Sequence, residues 1–162
     1  MADAQASIGP VRDGPEGIGG WLILPMLGMF LTPVYGIFQL SQYTGLADSF
    51  PLLTFGQRAF LIIELVGNVA IAVIFPIVLL VLLFNKRRAF PRLYIIWAAA
   101  NLIFILGDLL AAKILFGDIF EASGTPVIDG ETAQGIIRGI VLMVIWVPYM
   151  LNSRRVRNTF VQ

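Results

Sequence analysis

Four apolar stretches, over residues 21–42, 59–84, 93–116 and 133–151, constrain this chain more than any other feature. A helix needs ~20 mostly apolar residues to cross the hydrocarbon layer of a bilayer, and each stretch is about that long. Hydrophobic residues make up 58% of the chain and charged residues 13%, against ~45–50% and ~25% in soluble domains. The expected fold is therefore all-α: a single four-helix transmembrane bundle, in a multi-pass membrane protein.

The residues around the spans divide the chain. Residues 1–18 are polar, contain Gly9, Pro10, Gly14 and Pro15, and are expected to be poorly ordered. Residues 19–152 form the membrane domain, and residues 153–162 a basic cytoplasmic tail. The first apolar stretch exceeds the ~7–15-residue core of a signal peptide. It ends in Gln39, Ser41, Gln42 and Tyr43 and reads as a retained helix.

Charge sets the orientation. Arg12, the loop residues Lys86, Arg87, Arg88 and Arg92, and the tail residues Arg154, Arg155 and Arg157 all fall on one side of four crossings. The opposite loops, about 43–58 and 117–132, hold Arg58 against Asp48, Asp118, Glu121, Asp129 and Glu131. The positive-inside rule puts the basic side, and with it both termini, in the cytoplasm. Trp21, Trp97 and Trp146 fall toward that same interface, where indole rings prefer to sit. With the basic loop and tail they form the expected set of interfacial or lipid-contacting residues. Beyond orienting the chain, the basic residues suit an anionic lipid or an acidic partner.

Cysteine and histidine are both absent. That excludes disulfides, thiol nucleophiles and cysteine-bound iron–sulfur clusters. It also excludes His-based zinc sites and a His general base. No nucleophile–base pair is visible, so no enzymatic activity, metal, cofactor or nucleic-acid partner is expected.

Helices in lipid associate through small residues. Gly20, Leu24, Gly28, Thr32 and Gly36 make a narrow stripe at four-residue spacing, and Gly135 and Gly139 form a GxxxG pair. These suit packing within the bundle, or a homo-oligomer or larger membrane complex. Pro25, Pro33, Pro76 and Pro148 each remove a helix hydrogen bond and favour a kink.

A polar set lies inside the spans: Glu64, Asn68, Asn101, Asp108 and Arg138. Glu64 and Asn68 are i,i+4 and share a face; Asn101 and Asp108 are two turns apart. At 1.5 Å per residue, Glu64, Asp108 and Arg138 lie about 8, 12 and 8 Å from the outer ends of their stretches. A charge at the bilayer centre costs ~2.5–3.5 kcal/mol, so Arg138 is expected to pair with Asp108 or Glu64. Such a set reads as an ionic clasp fixing helix register, as an outward-facing proton or solute site, or as a contact for lipid headgroups.

The opening Gly17-Ile18-Gly19-Gly20-Trp21-Leu22-Ile23-Leu24, the loop Phe90-Pro91-Arg92-Leu93-Tyr94, and the ending Ile145-Trp146-Val147-Pro148-Tyr149 with Ser153-Arg154-Arg155-Val156-Arg157-Asn158-Thr159-Phe160-Val161 carry a resemblance. They resemble the YdgK-like family of bacterial integral membrane proteins, a domain of unknown function. The resemblance covers the chain after the tail and implies a small four-helix inner-membrane protein. It carries no activity or site residues. The expected role is a non-enzymatic accessory or structural membrane protein, the alternative a small transporter-like module for a proton or small solute working as an oligomer.

Overall fold

A computed structural model describes residues 14–46 and 49–161. Arg12, Asp48 and the expected disorder of residues 1–13 lie outside the described residues. Every regular element described is helical. Four helices are long and apolar enough to cross a membrane: α1 (Gly20–Gly45), α2 (Phe55–Phe84), α3 (Phe90–Ser123) and α4 (Gly130–Asn152). A short α5 (Arg154–Thr159) follows. The all-α, four-helix transmembrane fold is thus the observed one.

Each long helix extends past its apolar stretch, and at three of the ends a local cap rather than hydropathy sets the limit. Thr54 and Gln57 form a reciprocal capping box that starts α2 four residues before the apolar stretch, satisfying two otherwise orphaned backbone donors. Asp129 caps α4 by accepting from Thr132 N at 2.7 Å. Helix α3 runs on to Ser123 and stops where Gly124 takes a left-handed conformation, φ 67°, which glycine adopts without a Cβ clash. The loop read as 117–132 therefore shrinks to residues 124–129, and Asp118 and Glu121 stand on the last turns of α3, past its apolar stretch.

Two segments are wound as π-helix, Val69–Ile74 in α2 and Leu142–Trp146 in α4. Each is followed within a turn by a proline, Pro76 or Pro148. A proline has no N–H to give, and the wider turn relieves the clash of its ring with the preceding backbone. In π register the nitrogen of residue 76 would serve the carbonyl of Ile71. The Trp97 indole of α3 serves it instead, Nε1 to O at 2.8 Å. This is how a neighbouring helix re-satisfies a carbonyl freed by proline where there is no water.

Helix α1 packs along α2, α2 against α3, and α3 against α4, whereas the backbones of α1 and α4 scarcely approach and long side chains span between them. The buried core gathers at the basic end. There Leu22 and Met29 of α1, Leu79 and Leu83 of α2, Phe90, Tyr94 and Trp97 of α3, and Met150 of α4 close on Val156 and Phe160. The tail is part of this core. Ser153 caps α5 through Val156 N, and the Phe160 ring stacks on Phe90 at 4.6 Å between centroids, rather than dipping into a membrane interface. Residues 14–18, expected to be poorly ordered, lie along the same tail: Arg155 Nη1 donates to Glu16 O and Thr159 Oγ1 to Gly17 O, both at 3.3 Å.

The small-residue stripe does not form one face. Gly20 lies under the Arg155 guanidinium and Gly36 abuts Ala72 and Val73 of α2, while Gly28 faces open space. The face of α1 that is buried runs instead through Pro25, Met29, Pro33 and Gly36. Of the GxxxG pair, Gly139 meets Leu102 of α3 and Gly135 meets nothing. The closest approach is at Gly67 of α2, where an added Cβ would collide with the Phe104 ring of α3.

Candidate functional site

The intramembrane polar residues separate into two clusters, both anchored on the acidic-end half of α1. In the first, Tyr43 reaches across to α2. Its hydroxyl donates to Glu64 Oε1 at 2.6 Å and accepts from Asn68 Nδ2 at 3.0 Å. Glu64 and Asn68 are one turn apart on α2, so a single phenol bridges both. Asp108 approaches from α3, near enough for its charge and that of Glu64 to interact. The cluster is thus two carboxyls with neutral donors around them, partly buried between three helices.

In the second cluster, Tyr35 Oη and Gln39 Nε2 of α1 both donate to Glu131 Oε1 of α4, each at 2.8 Å. Arg138, two turns along α4 from Glu131, donates through Nη2 to Gln134 Oε1 at 3.2 Å and lies over the Tyr35 ring, 5.8 Å from its centroid. Arg138 therefore does not pair with Asp108 or Glu64. The reason is angular: Arg138 lies on the side of α4 that faces α1, whereas Glu64 and Asp108 meet between α2 and α3. Asn101, on α3, is partly buried and joins neither cluster's hydrogen bonds.

Below Arg138, α1 and α4 enclose a groove of about 260 Å³. Its walls are Gly28 and Thr32 from α1, and Arg138, Leu142 and Trp146 from α4; Trp97 lies at its back. It exists because α1 turns its buried face to α2 and presents Gly28, with no side chain, toward α4.

Several residues expected at the lipid interface have other duties. Trp97 is 3% exposed and bound to the Ile71 carbonyl. Trp146 is partly buried in the groove wall. Arg88 Nε donates to Val161 O at 2.7 Å and Arg155 holds Glu16, so both tie the tail to the bundle. Trp21 is 68% exposed, and Lys86, Arg87, Arg92, Arg154 and Arg157 are exposed at the basic end, as is Lys113 near the other end.

Tyr35, Gln39, Tyr43, Glu131 and Gln134 were not legible as site residues from hydropathy. Their signal was spacing. Tyr35, Gln39 and Tyr43 recur every four residues on α1, and Glu131, Gln134 and Arg138 share one face of α4 once that helix is started at Gly130. Among the described residues there is no group of three His, Cys, Asp or Glu side chains able to hold a metal ion.

The sequence from residue 15 to 161 matches the family model described as "Protein of unknown function (DUF2569)". The chain is similar to the inner membrane protein YdgK of Escherichia coli (strain K12). The two are 29% identical over 152 residues, covering 91% of this chain and 95% of that relative. No solved structure matches.

Proposed function

We propose that this chain, which belongs to the DUF2569 family and is a multi-pass inner-membrane protein, is a non-enzymatic accessory protein that holds a membrane-resident ligand between α1 and α4. The groove carries the reading. A bundle of this size that served only to fill space would close α4 onto α1. Here both helices meet their other neighbours and leave a lined space with one cation at its mouth. The positive-inside rule places the basic end in the cytoplasm, so the mouth at Arg138 faces the outer leaflet.

A photo-cross-linking amino acid at position 28, in native membranes, tests this. The expected result is a discrete adduct from position 28 and none from Ile103, which is exposed on α3. Equal labelling at both positions would show that the groove holds nothing in particular.

A second reading, a proton or solute module, is favoured by one observation: Glu64 and Asp108 share a partly buried site with neutral donors. Reconstituted vesicles carrying an internal pH dye address it. Proton leak that Glu64→Gln removes supports the module; leak equal to that of empty vesicles excludes it.

A further inference from the structure

We infer that the occupant of the α1–α4 groove is one acyl chain of an anionic phospholipid, whose phosphate is held by Arg138. This rests on the reading of the groove as a binding site and names the chemistry of its ligand. The lining argues for an acyl chain. Below Arg138 the groove, of about 260 Å³, is walled by Leu24, Met29, Val141, Leu142 and Trp146, all apolar, and Gly28 puts no side chain into it.

The direction of the charge gives the headgroup. Helical side chains lean toward the helix N-terminus, and that of Arg138 does so here, ending at Gln134 one turn nearer the acidic end of the bundle. Its two neighbours, the Gln134 amide and the Tyr35 ring, are neutral. The nearby carboxylate, Glu131, already accepts from Tyr35 and Gln39. The guanidinium, which is exposed, keeps donors free for a phosphodiester, and guanidinium–phosphate bonds are strong and directional. From Arg138 the groove descends along α4 to Trp146, eight residues or about 12 Å further. A lipid with its phosphate at Arg138 would lay its chain past Gly28, Leu142 and Trp146.

Tryptophan fluorescence reads the groove directly, because Trp97 and Trp146 both line it. With Trp21→Phe as background, the protein is placed in phosphatidylcholine vesicles containing a small fraction of lipid brominated on the acyl chains. The brominated lipid is either phosphatidylglycerol or phosphatidylcholine. The expected result is stronger quenching by phosphatidylglycerol, with an apparent preference of about fivefold, the factor expected of one basic side chain at an anionic surface. Arg138→Gln should reduce that preference to none and Arg138→Lys should keep part of it. Gly28→Leu, which fills the groove from α1, should reduce quenching by both lipids and serves if Arg138→Gln does not fold. Equal quenching by both lipids that Gly28→Leu still abolishes would overturn the headgroup assignment and leave the groove as a binding site. A position-28 adduct with a protein would overturn the lipid assignment in favour of a helix. Quenching insensitive to Gly28→Leu, with no position-28 adduct, would overturn both.

Discussion

Replacing Trp97 by Phe should cost the fold about 1–2 kcal/mol, and most of that cost should depend on Pro76. Burying a carbonyl without a donor costs ~1–3 kcal/mol. Interhelical hydrogen bonds in membranes contribute less on average, with measured values up to ~1.7 kcal/mol, because other partners are usually at hand. Ile71 O has fewer alternatives, since the residue that would serve it in π register is Pro76. Trp97→Phe also removes ring volume, so the single variant does not isolate the bond. The cycle with Pro76→Ala does, because alanine restores a backbone N–H near the Ile71 carbonyl. Unfolding free energies measured by denaturant titration in mixed micelles should show a coupling of about 1 kcal/mol, Trp97→Phe costing less in the Pro76→Ala background. Additivity within ~0.5 kcal/mol, the usual result for independent sites, would refute the idea that the indole replaces the missing donor.

Phe160→Ala should destabilise the basic end by about 3 kcal/mol, the lower end for a buried Phe→Ala change, and should expose Arg154, Arg155 and Arg157 to trypsin while Arg154→Ala changes melting little. Gly67→Ala should cost about 1–3 kcal/mol by overpacking Phe104, whereas Gly107→Ala, with nothing near its Cβ, should be neutral or better; equal melting temperatures would show that Phe104 swings aside freely. The backbone N–H of Thr132 donates to Asp129 and holds its carboxyl below the ordinary value of 3.8. A folded-state value below the unfolded one gives stability that is present above about pH 4 and is lost as pH falls through the folded value. Melting temperature should therefore drop on acidification in the native chain, and this component should be absent in Asp129→Asn, which keeps a capping oxygen but does not titrate.

Hydropathy alone located all four helices, because spanning length and apolar content are properties of each segment taken separately. It placed their ends less well, since the capping box at Thr54 and the left-handed Gly124 act outside the apolar runs. The partner of Arg138 was out of reach for a different reason. Depth in the membrane is read by counting residues, and Glu64, Asp108 and Arg138 stand 5, 8 and 5 residues from the outer ends of their apolar stretches. Which side of a helix faces which neighbour depends on the order of packing around the bundle, and nothing in a single helix fixes that. The same gap explains Trp97: an indole near a membrane interface and a proline mid-helix were both visible, but their meeting required knowing that α3 lies against the π turn of α2. Phe160 stands in a tail legible only as basic, whereas the Ser153 cap turns the chain back and puts the ring on Phe90.

Native mass spectrometry of the protein, released from phosphatidylglycerol-containing nanodiscs, tests the central claim that α1 and α4 hold a lipid between them. The native chain should retain one phospholipid at collision energies that strip surface lipid, and Gly28→Leu should lose it. A bare native chain under those conditions, or an adduct of equal strength in Gly28→Leu, would contradict the claim.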